Sequence, residues 1–207
     1  MRISVDAMGG DYAPKEIVRG ALDAATTING LEKLFLVGDE RLIQIELDKS
    51  SKEIPDCIEI ISATEVVEMG EAPASAIRKK KDSSISRAID LVKDGKADAI
   101  FSAGNTGAAV AAATLKLRTL EGVNRPAIAT VMPTSKDPFV LLDAGANTDS
   151  TPEMLQQFAV MGKIYCKEIL GVQSPRIGLL SIGEEEANGN QTTKKSINLL
   201  NNFNFSF

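Results

Sequence analysis

The sequence predicts an α/β protein built on a doubly wound, mostly parallel sheet. Short apolar runs recur down the chain, each followed by a turn of Gly, Asp or Asn and then by apolar residues at helical spacing. That alternation means βαβ units, whose right-handed crossovers place helices on both faces of a sheet. No internal repeat, low-complexity tract or linker interrupts it, so 1–207 reads as a single α/β domain. A chain of 207 residues can bury one good core, hiding roughly 70% of the surface it exposes unfolded.

Residues 2–5 alternate and end in Asp6-Ala7-Met8-Gly9-Gly10-Asp11, a strand followed by a glycine turn. Pro14 suits a first helical turn, and Ile17, Val18, Ala21, Leu22 and Ala25 follow at 3.6 spacing until Gly30 closes the helix. Residues 34–37 form the second strand with Gly38-Asp39 as its turn, 41–47 the second helix, and 58–61 the third strand. Residues 64–74 are a polar loop bearing Gly and Pro, of the length that lids have. A helix pattern resumes around Ala76 and again over 84–93, where Ile85, Ala88, Ile89 and Val92 share a face and Ser83 or Ser84 can serve as N-cap. Residues 98–101 are a short buried strand. Ser102-Ala103-Gly104-Asn105-Thr106-Gly107 follows, then a run of Ala and Val with high helix propensity. Residues 127–132 and 139–143 are β-rich, and only 134–137 separates them, as in an antiparallel pair. A helix over 152–170, a strand over 176–182, a helix over 191–200 and the beginning of a strand over 203–207 complete the series.

Composition excludes several classes. Hydrophobic content of 43% and charged content of 25% are those of an ordinary soluble globular protein. Nothing approaches 18 consecutive apolar residues, and the N-terminus lacks the apolar core of a secretory signal. The expected compartment is the cytoplasm. Cys57 and Cys166 sit in apolar surroundings and read as packing residues. A net charge of −5, seven Phe, two Tyr and no Trp argue against nucleic-acid binding. Histidine is absent, which removes the Ser-His-Asp triad, Cys-His pairs and the HExxH zinc helix. GxGxxG does not occur, and neither Gly95-Lys96 nor Gly162-Lys163 has the earlier glycine of a P-loop. Glu184, Glu185 and Glu186 lack a nearby Asp or His and read as surface charge. No metal or other cofactor is called for.

In open α/β sheets ligands bind outside the carboxyl ends of the strands. Five such ends here carry glycine and polar residues: 6–11, 38–39, 102–107, 143–147 and 182–185. Backbone demands of βα turns explain any one of them; several at one sheet end point to a site. The 102–107 segment aims helix N–H groups and the positive end of a dipole at one point, where an oxyanion, most simply phosphate, is stabilised. Arg78-Lys79-Lys80-Lys81 is the densest positive charge, either a solvated helix face or a phosphate clamp or a dock for an acidic partner.

Five stretches, DAMGGDYAP at 6–14, IRKKKDSS at 77–84, SAGNTGA at 102–108, LLDAGAN at 141–147 and IGEEEANGN at 182–190, resemble the bacterial phosphate acyltransferase family. The resemblance implies a fold similar to phosphotransacetylases and to isocitrate and isopropylmalate dehydrogenases. It implies conversion of acyl-acyl-carrier-protein and inorganic phosphate into acyl-phosphate, feeding phosphatidic acid and phospholipid synthesis through a glycerol-3-phosphate acyltransferase downstream. It also implies a homodimer, with no nucleic-acid partner. The family's C-terminal segment is not in this sequence, so a truncated member is expected, and with it goes the part that would contact the inner face of the membrane.

The same resemblance assigns the site. Lys79 and Lys80 hold phosphate or screen it as it meets the thioester. Asn105 with the amides of Gly104, Thr106 and Gly107 holds phosphate or the tetrahedral oxyanion, and Asp143 and Asn147 orient these groups. Asp6, Gly9, Gly10, Asp11, Ser83, Gly145 and Glu184 line the cleft or contact substrate. Phosphate is already anionic at pH 7 and the leaving thiol has a pKa near 8.5, so the reaction needs orientation and charge stabilisation rather than an imidazole. Two alternatives stand beside this: a phosphotransacetylase- or dehydrogenase-like relative, and a non-catalytic remnant that binds phosphate or carrier protein.

Overall fold

β1 (Arg2–Asp6), β2 (Lys33–Gly38), β3 (Ile58–Ser62) and β4 (Ala99–Phe101) form one sheet in the order β3-β2-β1-β4, and every neighbouring pair is parallel. The computed structural model describes residues 1–50, 53–147, 149–180 and 191–201. The sheet lies in the first of two units, Met1–Arg118 and Thr119–Phe207.

Alternation along β2 explains the layering of the first unit. Leu34 and Leu36 point to one face, where they meet Val5 and Ala7 and the buried sides of α1 (Lys15–Thr27) and α2 (Glu40–Asp48), chiefly Val18, Leu22, Ile43 and Leu47. Phe35 and Val37 point to the other, against Ala88 and Leu91 of α4 (Ser84–Lys93). β2 is therefore covered on both faces, which is why it reads as a continuous apolar run. The strand over 98–101 is not the buried one expected: Ala99 is exposed and Phe101 is 55% exposed, because β4 stands at the sheet's edge. Fully buried side chains such as Leu36, Ile43 and Ile89 each contribute roughly 1.5–3 kcal/mol relative to exposure. A further cluster joins α3 (Pro73–Lys79), α4 and α5 (Thr106–Lys116) through Ile77, Ile85, Ile89, Ala108 and Ala112. The 38–39 turn explains itself: Asp39 caps α2 by accepting the Leu42 N–H at 3.0 Å.

In the second unit β5 (Ala129–Met132) and β6 (Phe139–Leu142) pair antiparallel, as the short 134–137 connection predicts. The Thr134 hydroxyl closes that turn by donating to the Asp137 carbonyl at 2.8 Å. α6 (Pro152–Glu168) starts where expected, with Thr151 accepting the Met154 N–H at 3.3 Å and Pro152 in the first turn. α7 (Gln191–Asn201) docks against α6, burying Leu200. A second expectation is corrected: residues 176–180 join no ladder, and Leu180 is 85% exposed. β-propensity reports fit to a half-buried pleated surface, and no neighbouring strand among the described residues offers one. The rest of that segment, Glu184 with its turn, and 203–207 lie outside the described residues. No helix among the described residues is long and apolar enough to cross a membrane.

Candidate functional site

Strand order reverses at β1, with β2 and β3 on one side and β4 on the other. Crevices at such switch points are where open α/β sheets bind ligands, and here the 6–11 and 102–107 turns meet. Asp6, the last residue of β1, is 2% exposed. Its Oδ2 accepts the Ser102 hydroxyl at 2.7 Å, and Ser102 Oγ accepts the Gly104 N–H at 3.1 Å. A hydroxyl has one proton; once it is given to Asp6, the Ser102 lone pairs are left for Gly104. The other carboxylate oxygen, Oδ1, is buried with no partner among the described residues.

The glycines permit this approach. A Cβ on Gly9 would lie 2.6 Å from Asp6 Oδ2, 2.9 Å from the Gly104 nitrogen and 3.0 Å from Ser102 Oγ. Gly10 has φ +111°, the left-handed side that residues with a Cβ rarely adopt. Asp11 is exposed beside them.

Asn105 is the N-cap of α5 and is 8% exposed. Its Oδ1 accepts the Ala108 N–H at 2.9 Å. Its Nδ2 donates to the carbonyls of Glu68, Met69 and Glu71, each at 3.1 Å. The side chain is thus spent on fixing the start of α5 and the 68–71 backbone. The first helical amides, those of Thr106 and Gly107, are the ones no intrahelical acceptor reaches, and they stand at the positive end of the dipole. Gly107 also has a packing reason: a Cβ there would lie 2.5 Å from Pro73 Cγ, so its absence lets α3 seat on α5.

The 64–74 loop is pinned rather than free. The Thr64 N–H and hydroxyl donate to Asp82 Oδ2 at 3.0 and 2.6 Å, and Arg87 Nε donates to Asp82 Oδ1 at 2.5 Å. The Thr64 hydroxyl first, then Arg87, hold the Asp82 carboxyl down at about 2. Lys80 Nζ donates to the Val66 carbonyl at 2.7 Å and pairs with Glu71 Oε1, which also takes the Glu68 N–H at 2.8 Å. The Lys80 hydrogen bond is the main cause that keeps Glu71 below the usual carboxylate range. Arg78, Lys79 and Lys81 are exposed. Ser83 occupies the N-cap position of α4, yet its hydroxyl turns back to donate to the Lys80 carbonyl at 2.9 Å.

Asp143, Gly145 and Asn147 form a turn of their own in the second unit. Asp143 Oδ1 accepts the N–H groups of Ile128 (2.9 Å) and Ala146 (3.1 Å), and Oδ2 accepts Asn147 N–H (2.7 Å) and Nδ2 (2.9 Å). Asn147 Nδ2 also donates to the Pro126 carbonyl at 2.9 Å. Burial pushes the Asp143 carboxyl up, but these donors together prevail and hold it below its ordinary value. The structure thus gathers Asp6, Gly9, Gly10, Gly104, Asn105, Thr106 and Gly107 at the carboxyl ends of β1 and β4, and Lys80, at the end of α3, bonds to the loop that is fastened to Asn105. Ser102 and Glu71 join this group without having been singled out in the sequence. Ser102 could have been suspected as a hydroxyl between a strand end and a glycine; no spacing rule marks Glu71.

Solved structures of other proteins share this fold. The chain is similar in fold to the EutD phosphotransacetylase from Staphylococcus aureus (TM-score 0.66, 18% identity, 98% of this chain and 64% of that one). It is likewise similar to a branched-chain phosphotransacylase from Enterococcus faecalis V583 (TM-score 0.60, 16% identity, 99% and 64%). The chain belongs to the family described as fatty acid synthesis protein, whose model matches residues 1–207. Among curated relatives it is 52% identical over 201 residues to a phosphate acyltransferase from Halothermothrix orenii, covering 97% of this chain and 59% of that protein. The chain spans about three fifths of the length of the curated relatives it matches.

Proposed function

We propose that this chain carries the oxyanion site of a phosphate acyltransferase, which moves an acyl group from the thioester of acyl-acyl-carrier-protein to inorganic phosphate for phospholipid synthesis. The observation that carries the reading is the start of α5, where Asn105 caps the helix through a neutral side chain and the Thr106 and Gly107 amides remain at its positive end. The name borne by relatives about half identical in sequence supports the same chemistry. A phosphate oxygen attacks the thioester carbonyl, a C–O bond forms, and the C–S bond breaks with its electron pair leaving on the thiolate. Phosphate needs no base at neutral pH and the thiolate needs little protonation, so preorganised donors supply the catalysis. The amides of Thr106 and Gly107 hold phosphate or the developing oxyanion, within the frame set by Gly9, Gly10, Gly104 and Asn105. Lys79 and Lys80 screen the charge.

The resemblance to phosphate acyltransferases further assigns Asp143, Asn147 and Gly145 to orienting phosphate or the oxyanion, and Asp11, Ser83 and Glu184 to the substrate cleft. The whole belongs to one acyltransferase domain of the isocitrate/isopropylmalate dehydrogenase-like kind, cytoplasmic and homodimeric. A downstream glycerol-3-phosphate acyltransferase consumes the product, and the complete protein makes peripheral contact with the membrane. The test is acyl-phosphate formation by the 207-residue chain beside a version continued with a relative's C-terminal part. Activity in the longer protein supports the reading; two folded but inactive proteins overturn it.

A further inference from the structure

We propose that Glu71 is a positioning residue: it fastens Lys80 and the 66–71 backbone around Asn105, and so holds the start of α5 in its anion-binding form. The inference rests on the reading of that helix start as the phosphate site and adds a residue to it. Four contacts converge on this short segment. Glu71 Oε1 takes the Lys80 ammonium and the Glu68 N–H, Lys80 reaches past it to the Val66 carbonyl, and the Glu71 carbonyl receives Asn105 Nδ2. Glu71 therefore touches the cap residue through its backbone and the nearest paired lysine through its side chain. The Lys80 and Glu71 side chains are each 30% exposed, so the pair is screened less than a surface ion pair.

The sign of the effect separates this role from simple electrostatics. A carboxylate near an anion site repels the anion, so if Glu71 acted by charge alone its removal would tighten phosphate binding. If it acts as a clasp, removal loosens the loop and weakens binding.

The experiment is calorimetric titration of inorganic phosphate into the 207-residue chain, its Glu71→Ala variant and its Glu71→Gln variant. Amide hydrogen exchange over 66–71 and 105–108 is followed in all three. Gln lacks the charge but keeps an acceptor for Lys80 and for the Glu68 N–H. The expected result is roughly two- to fivefold weaker binding in the Ala variant, in the range of a partly exposed pair, with faster exchange of both segments, and Gln close to the parent chain. Tighter binding in both variants, or a Gln variant indistinguishable from Ala, overturns the proposal. A parent chain that binds no phosphate overturns the reading of the site, and the exchange data alone then decide the clasp: unchanged protection in the Ala variant refutes it.

Discussion

Asn105 and Asp143 each organise a turn through a single side chain, and they do so to different ends. Asp143 is negatively charged, and both its oxygens are consumed by the donors of Ile128, Ala146 and Asn147. Its local structure accounts for it completely. Asn105 is neutral and uses its oxygen for Ala108 and its nitrogen for three loop carbonyls, so the helix is capped without an anion sitting on its dipole. An Asp there would cap as well and would compensate the positive end that a ligand needs. The contrast teaches that an Asx residue at a strand end becomes part of a binding site only when its own bonds leave neighbouring amides open.

Gly9, packed against the Gly104 nitrogen, and Gly145, in the turn of Asp143, sharpen the contrast most. Gly9→Ala drives a Cβ into backbone and carboxylate and is expected to cost about 1–3 kcal/mol, read by urea unfolding, together with loss of phosphate binding. Gly145→Ala meets nothing within 4 Å and suffers only its φ of +108°, so the expected cost is smaller, about 1 kcal/mol. A larger loss at Gly145 would break the distinction between a crowded turn and a merely bent one.

Asn105→Asp comes next. It keeps the capping oxygen but loses the donors to the Glu68, Met69 and Glu71 carbonyls, and it places a charge at the helix start. The expectation is phosphate binding weakened at least about tenfold, the equivalent of roughly 1.4 kcal/mol, with protection of Ala108 retained in hydrogen exchange. Unchanged affinity would mean that the dipole end is not where the anion sits.

The smallest effect is in the pH dependence of stability. Asp82 is depressed in the folded chain to about 2 from 3.8, by the Thr64 hydroxyl and then Arg87. The stability it supplies is complete above the unfolded value and is lost as pH falls from about 4 toward 2. Asp82→Asn should flatten the unfolding midpoint in that window; an unaltered acid limb would show that the 64–82 anchor contributes nothing there.

Much of the first unit was legible in the sequence because parallel strands buried on both faces leave continuous apolar runs, and each run ended in a turn that names itself. The 127–143 hairpin was legible from the short connection between its two β-rich runs. The 176–180 segment marks the limit of such reading, because a strand is made by its neighbours. Ile177 and Leu179 carry the apolar alternation, yet no ladder forms on them. At the site, the strand-end rule found Asp6, Gly9, Gly10 and the 104–107 turn. It could not see that Lys80 turns inward to Glu71 while Lys79 stays exposed, since four consecutive basic residues look alike until a helix end separates them. Nor could it see that Asn105 works on the loop carbonyls.

Phosphate binding at the start of α5 is tested most directly by titrating inorganic phosphate onto the isotopically labelled 207-residue chain and following its amide resonances. Saturable shifts centred on Thr106 and Gly107 are expected, with Ala108 and Ala109, already bonded within the cap, moving less. Shifts confined to the exposed lysines, or none at the start of α5, would contradict it.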